Sequence, residues 1–311
     1  MNMEQAQSPL VSGDEINPLR DSRLAFVGCG VMAEAMIAGL LRRELVRPSQ
    51  IAGSHPRANR RDELRERYAI HVFESNREAV TAGDDRTDGG DDETTANGDK
   101  RAAEGGVVVL AVKPQRLGGV LHELRGALAP GQLVLSIVAG AQSETMAAEL
   151  LHPSIVRAMP NTPAQIGRGM TAWTATAQVT EAQHGMVRAL LGALGREMYV
   201  ETERMIDMAT ALSATGPTYI FMMMEALVDA GVHMGFSRHV SQELVTQTML
   251  GSVLFAQETH KHPAELRNMV TSPGGTSAEA IYQMEKGGLR TVLSKAVYAA
   301  FQRAVALGAR K

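Results

Sequence analysis

The chain has 311 residues, enough for two domains, and a formal charge of −3 from 31 basic and 34 acidic side chains. So even a balance gives no electrostatic footprint for nucleic acid. Its single cysteine, Cys29, has no partner for an internal disulfide, so a reducing, cytoplasmic compartment is expected.

Residues 1–22 hold Glu4, Asp14, Glu15 and Asp21 and no apolar run, unlike a secretory or mitochondrial leader, and are expected to form a loose tail. Leu24 to Val27 reads as a buried strand. Gly28-Cys29-Gly30 follows, and then a helical pattern with Met32, Met36, Ile37 and Leu40 on one face. Strand, glycine turn and helix in that order form the phosphate-binding corner of a dinucleotide fold. Ala33 stands at the third glycine position, where close helix–strand packing is the only requirement. A second βα unit ends its strand at Ile51-Ala52-Gly53 and carries Leu64 and Tyr68 on its helix. No acidic residue ends that strand to hold ribose hydroxyls. Ser54 stands there instead, with Arg57, Arg60 and Arg61 after it, a group suited to a 2′-phosphate; the alternative is a solvated helix face.

His71 to Phe73 predicts a third strand, with Ser75 as helix N-cap before Asn76. The segment 81–105 breaks the pattern: Thr81 to Glu104 has eight acidic and three basic residues and no large apolar one. Such a composition buries too little surface to offset chain entropy and predicts a disordered surface insertion; it lacks the spacing of a calcium loop. Val107 to Val112 then reads as a fully buried parallel strand, with Lys113-Pro114-Gln115 past its carboxyl end, where ligands lie in open α/β sheets. Leu133 to Val138 and Val156 to Met159 predict two more, the latter ending in Pro160-Asn161-Thr162-Pro163. Gly169 to Thr174 and Glu197 to Val200 are expected as edge strands around a helix at 180–194.

From Met205 the pattern is helical. Residues 208–235 are expected as an apolar helix interrupted by Gly216-Pro217, with Met222, Met223 and Met224 as packing residues. Only 17 residues separate Asp207 from Glu225, several of them polar, so burial against a partner chain is favoured over a membrane span. Ser237 is placed to cap a helix running to about 260, and Leu289 to Leu307 predicts the last one. His260 and His262 diverge on a helix and make a poor metal pair, so no metal site is expected. Between these helices, Val270-Thr271-Ser272-Pro273-Gly274-Gly275-Thr276-Ser277 exposes backbone N–H groups ahead of a helix starting near Ser277. A loop of this kind is an anion nest, or else a plain connector.

Seven stretches carry a resemblance: V-G-C-G-V-M-A at 27–33, A-V-K-P-Q at 111–115, M-P-N-T-P at 159–163, G-P-T-Y at 216–219, E-A-L-V-D-A-G-V-H-M-G at 225–235, H-P-A-E-L at 262–266 and T-S-P-G-G-T at 271–276. Together they resemble the pyrroline-5-carboxylate reductases from about Leu24 to Leu307. The resemblance implies an α/β fold, with a Rossmann-type dinucleotide-binding domain at 23–202 and an all-α dimerisation and substrate-binding domain at 203–311. It further implies at least a homodimer, commonly assembled into a ring of dimers. NADPH, with NADH as the weaker alternative, would be held by Val27, Gly28, Cys29, Gly30, Val31 and Met32, by Ser54 and Asn76 near the 2′-phosphate, and by Ala111, Val112, Lys113 and Pro114, with Arg57 added as a cofactor ligand from its own chemistry beside Ser54. The small-molecule substrate's carboxylate would meet Ser272, Gly274, Gly275, Thr276 and Ser277, chiefly the amides of the last three. Ser277, where many members have threonine, would be the catalytic contact to the ring nitrogen. Ala214-Thr215 in place of Gly-Ser, Arg267-Asn268 in place of Lys-Asp, the insertion and the tail also depart from the family pattern.

The implied reaction is NADPH-dependent reduction of 1-pyrroline-5-carboxylate to L-proline, the last step of proline biosynthesis. An iminium is already a good hydride acceptor, so positioning against the nicotinamide can carry catalysis. Two rivals stay open. A β-hydroxyacid-dehydrogenase-like enzyme would use a lysine on the long helix, yet none lies between Lys113 and Lys261. A catalytically inactive NADP-binding scaffold would have no need of the intact T-S-P-G-G-T loop.

Overall fold

The computed structural model describes residues 17–82 and 105–308. Most of the expected tail (1–16) and of the expected insertion (83–104) lies outside the described residues. These residues form two compact units, dividing between Ala214 and Thr215, with the chain rejoining the first unit at Ala304.

The first unit is built on an eight-stranded sheet: β1 (Leu24–Val27), β2 (Ile51–Ser54), β3 (His71–Phe73), β4 (Val107–Leu110), β5 (Leu133–Ser136), β6 (Ile155–Met159), β7 (Gly169–Ala175) and β8 (Gly195–Tyr199). The spatial order is β3-β2-β1-β4-β5-β6-β7-β8. Strands β1 to β6 are parallel, the 3-2-1-4-5-6 arrangement of a doubly wound dinucleotide fold. Helices α1 (Val31–Arg42), α2 (Ala58–Tyr68), α3 (Asn76–Thr81), α4 (Pro114–Leu124), α5 (Ser143–Leu150) and α6 (Glu181–Gly192) alternate with the strands. The unbroken apolar runs of β1, β4 and β5 are buried at every position, as strands covered on both faces must be.

The expectations for the strand at Gly169 and for residues 17–22 change. The strand starting at Gly169 is not an edge, because β7 runs antiparallel to β6 and pairs on its other side with β8. Residues 17–22 are not loose. Leu19 is fully buried in the core, and the Gln50 amide donates to the carbonyls of Leu19, Arg20 and Ser22 at 2.7–3.1 Å. The expected 202/203 boundary also differs from the compact division. Helix α7 (Glu203–Ala209) stays with the sheet because buried Arg157 of β6 pairs with Glu203 at 3.1 Å and Asp207 at 2.6 Å.

A π-helical turn, Thr210–Ala214, closes the first unit. Helix α8 (Gly216–His233) opens the second, with Pro217 in its first turn. Gly216-Pro217 therefore starts a helix instead of interrupting one, since a missing N–H is harmless at that position. Helix α9 (Arg238–Thr259) is capped by Ser237, which accepts from the Val240 N–H as expected, and it packs against α8 where Gly231 meets Ser241. α10 (Pro263–Met269), α11 (Thr276–Lys286) and α12 (Leu289–Gly308) follow. Many apolar side chains of this unit are exposed in the single chain, among them Phe221, Leu250, Val253 and Tyr298. Among the described residues no helix is long and apolar enough to cross a membrane.

Candidate active site

Sheet register brings the expected nucleotide residues together. Ser54 and Leu110 both pair with Val27, and Phe73 pairs with Ser54, so β1 to β4 end in one row. The strand order reverses between β1 and β4, and Gly28 sits there with φ +87°. A Cβ on Gly28 would lie 2.6 Å from Val112 Cγ1 and 3.3 Å from the Ala111 carbonyl carbon, so only glycine fits. An added Cβ on Gly30 would meet only open space, leaving its backbone accessible. Gly30 is the N-cap of α1 and offers no capping side chain, and the N–H groups of Val31 and Met32 have no acceptor among the described residues. Uncapped N–H groups with a positive dipole end fit a dinucleotide pyrophosphate. Ala33 is fully buried, as close packing of α1 on the sheet requires.

Ser54 and Asn76 meet, but not as free phosphate ligands. Ser54 is fully buried; its hydroxyl accepts from the Gly28 N–H at 3.2 Å and donates to Asn76 Oδ1 at 2.7 Å. The Asn76 amide in turn donates to Glu123 Oε2 at 2.6 Å. This chain braces the glycine turn from behind. Sequence reasoning missed Glu123, which lies 47 residues from Asn76 and has no local motif.

The three arginines separate. Arg61 donates to the carbonyls of His55 and Pro56 and to Glu74. Arg60 pairs with Glu34 of α1 and with Glu63, and its Nε reaches the Cys29 carbonyl at 3.5 Å. Only the exposed Arg57 guanidinium, of the three, has no partner among the described residues. Glu34 also accepts from Arg67 and Tyr68 at 3.0 and 2.9 Å. Burial pushes the Glu34 carboxyl up, but the hydrogen bonds from Arg60 and Tyr68 and the charges of Arg60 and Arg67 outweigh it and hold it below the usual range. Burial, reinforced by the charges of Arg57, Arg60 and Arg61, holds His55 below the usual imidazole range. Burial pushes the Cys29 thiol up to about 12, so it is packing in the glycine turn and not a nucleophile.

In the second unit, Gly274 takes φ +70°, and Gly275 is the N-cap of α11. Ser277 is thus the second helical residue and not its cap. The Gly275 N–H, expected to face a carboxylate, donates instead to the Ser272 carbonyl at 3.0 Å and closes the turn. The N–H groups of Thr276 and Ser277 and the half-buried Ser277 hydroxyl have no partner among the described residues. Ser272 and Gly274 are exposed on the same turn. Back in the first unit, Asn161 of the M-P-N-T-P stretch accepts from the Met170 N–H at 2.9 Å, and its amide lies 3.4 Å from Ser213 O and Oγ in the π-helical turn.

Residues 203–307 match the family model for pyrroline-5-carboxylate reductase dimerisation, and residues 23–85 match that for coenzyme F420-dependent NADP oxidoreductases. A pyrroline-5-carboxylate reductase of Pseudomonas aeruginosa is 40% identical over 286 residues, 92% of this chain and 96% of the relative. The chain belongs to the pyrroline-5-carboxylate reductase family. Two solved family structures share its fold. The enzyme of Coxiella burnetii has a TM-score of 0.79 at 33% identity, covering 93% of this chain and 100% of that one. The Plasmodium falciparum enzyme, solved with NADP bound, has a TM-score of 0.78 at 27% identity, covering 93% and 98%. As a pyrroline-5-carboxylate reductase the chain reduces 1-pyrroline-5-carboxylate to proline with a nicotinamide cofactor. Its helical unit belongs to the family's dimerisation domain, which makes the exposed apolar side chains of α8, α9 and α12 the expected surface of an oligomer. The dimerisation match begins at 203, the boundary read from the sequence, although α7 is packed with the sheet.

Proposed function

We propose that substrate carboxylate is held by the N–H groups of Thr276 and Ser277, and that the Ser277 hydroxyl orients the ring nitrogen. The observation behind this reading is that two backbone donors and one hydroxyl lie together at one helix start without partners among the described residues. The turn made by Ser272, Gly274 and Gly275 presents them, and the α11 dipole adds attraction for an anion. Bound NADPH supplies the hydride. The substrate reacts as the iminium, already protonated at nitrogen: as hydride reaches its carbon, the C=N π pair becomes the nitrogen lone pair, and the N–H donates to Ser277 Oγ. The nitrogen ends as a secondary amine, and no strongly shifted protein acid is required.

Val27 to Met32 and Ala111 to Pro114 would cradle the dinucleotide at the end of β1 and β4, with Ser54, Asn76 and Glu123 bracing from behind. Arg57 would pair with a 2′-phosphate. The absence of an acidic residue at the end of β2 favours NADPH over NADH. The same reading has the protein working in the cytoplasm as a homodimer, with a ring of dimers as the larger assembly.

Steady-state kinetics on purified Ser277→Ala test the central assignment. kcat/KM for 1-pyrroline-5-carboxylate should fall roughly tenfold to a hundredfold, the loss expected for one hydrogen bond to a charged group, while a proline-like inhibitor keeps most of its affinity. Unchanged kinetics would remove Ser277 from the mechanism.

A further inference from the structure

Glu34 is the carboxylate that reaches from α1 to the arginine-rich face of α2. One oxygen holds Arg60; the other accepts from Arg67 at 3.0 Å and Tyr68 at 2.9 Å. The Glu34 and Arg60 side chains are 17% and 16% exposed, so the pair is shielded from salt far more than a surface bridge. Arg60 also lines, with Arg57, the open hollow at the start of α2. Its second partner, Glu63, is half exposed and one turn away on the same helix, a weaker hold.

We infer that Glu34 is a specificity-setting residue: by tying the Arg60 guanidinium to helix α1, it leaves Arg57 as the one guanidinium of Arg57, Arg60 and Arg61 without a partner among the described residues to meet the cofactor's 2′-phosphate. This rests on the reading of Arg57 as the 2′-phosphate ligand. Glu34 thereby moderates the preference for NADPH by limiting the gain from the 2′-phosphate. Without its charge, Arg60 gains freedom to turn into the hollow it already lines. A second guanidinium then faces any phosphate beside Arg57, and the local positive potential rises.

Glu34→Gln keeps the shape and an acceptor for the Tyr68 hydroxyl while removing the charge. Binding to the full-length protein would be measured by calorimetry with adenosine 2′,5′-bisphosphate and with adenosine 5′-monophosphate, at low and at physiological salt. Glu34→Gln should bind the bisphosphate about three- to tenfold more tightly, with less than a twofold change for the monophosphate. The gain should shrink as salt rises. Adding Arg60→Met to Glu34→Gln should abolish it. Equal weakening for both nucleotides would make Glu34 a brace of the glycine turn, and no change, or a gain that survives loss of Arg60, would also overturn the inference. Arg57→Ala, measured in parallel, separates the two layers. If it weakens both nucleotides equally, the 2′-phosphate site itself is wrong. If it discriminates and Glu34→Gln does not, only the role of Glu34 falls.

Discussion

At the scale of single residues, the nucleotide corner depends on which polar groups are left uncommitted. Ser54 and Asn76 carry the right chemistry for a phosphate, yet they are engaged with Gly28, Glu123 and each other, while the Arg57 guanidinium has no partner among the described residues. Arg57→Ala should therefore weaken NADPH binding by about 1–3 kcal/mol, the range for a hydrogen bond to a charged group, and leave NADH nearly unchanged. Paired fluorescence titrations with the two cofactors check this, and equal losses would refute it. Ser277→Thr should be close to silent in kcat/KM because the hydroxyl is retained. Glu34 also predicts a pH effect on stability. Its carboxyl is held below the usual carboxylate value of about 4.3, so its contribution is complete above that pH and is lost as pH falls through the lower folded-state value. Urea unfolding from pH 7 to pH 3 should show wild type more stable than Glu34→Gln at neutral pH, with the difference shrinking below about pH 4.3. A difference that grows on acidification would contradict the assigned sign.

At the scale of elements, Arg157 holds α7 to the sheet within the first unit. Its side chain is 4% exposed on β6 and ties down Glu203 and Asp207 of α7; Glu203 in turn accepts from the Ser143 N–H at the start of α5. Removing one partner of a buried ion pair leaves uncompensated charge, which typically costs about 3–5 kcal/mol. Arg157→Ala should lose stability of that order by urea unfolding. A loss under about 1 kcal/mol would mean that α7 is held by its apolar contacts alone. The π-helical turn after α7 extends the same logic: Asn161 of the M-P-N-T-P stretch lies against Ser213 in it, so a motif that looks like a loop end in the sequence is an anchor in the fold.

At the scale of the molecule, the second unit buries few of its own apolar side chains and exposes many, including Leu250 at 50%, Val253 at 57% and Tyr298 at 61%. So large an apolar surface in a family dimerisation domain predicts a dimer at micromolar concentration. Sedimentation velocity should find no monomer boundary for wild type. Leu250→Arg, at an exposed site of α9, should raise the monomer fraction while the first unit keeps its nucleotide affinity. A stable, active wild-type monomer would refute the dimer.

Local pattern determined most of the elements. The apolar runs of β1, β4 and β5, the Ser75 and Ser237 helix starts, and the glycine turn are legible because strand burial, capping and positive φ are set by neighbouring residues. The chemistry and family were legible because the M-P-N-T-P, E-A-L-V-D-A-G-V-H-M-G and T-S-P-G-G-T stretches are contiguous. Tertiary structure alone decided where β7 lies, that Leu19 belongs to the core, and that Arg157 keeps α7 with the sheet. It also decided which donors are committed: the Gly275 N–H and the Ser54 hydroxyl are engaged, whereas Arg57, Thr276 and Ser277 have groups without partners among the described residues. The reason is physical. A residue type states what hydrogen bonds a group can make, but which partner arrives, from 47 residues away in the case of Glu123 and Asn76, depends on how the strands are ordered and the helices packed.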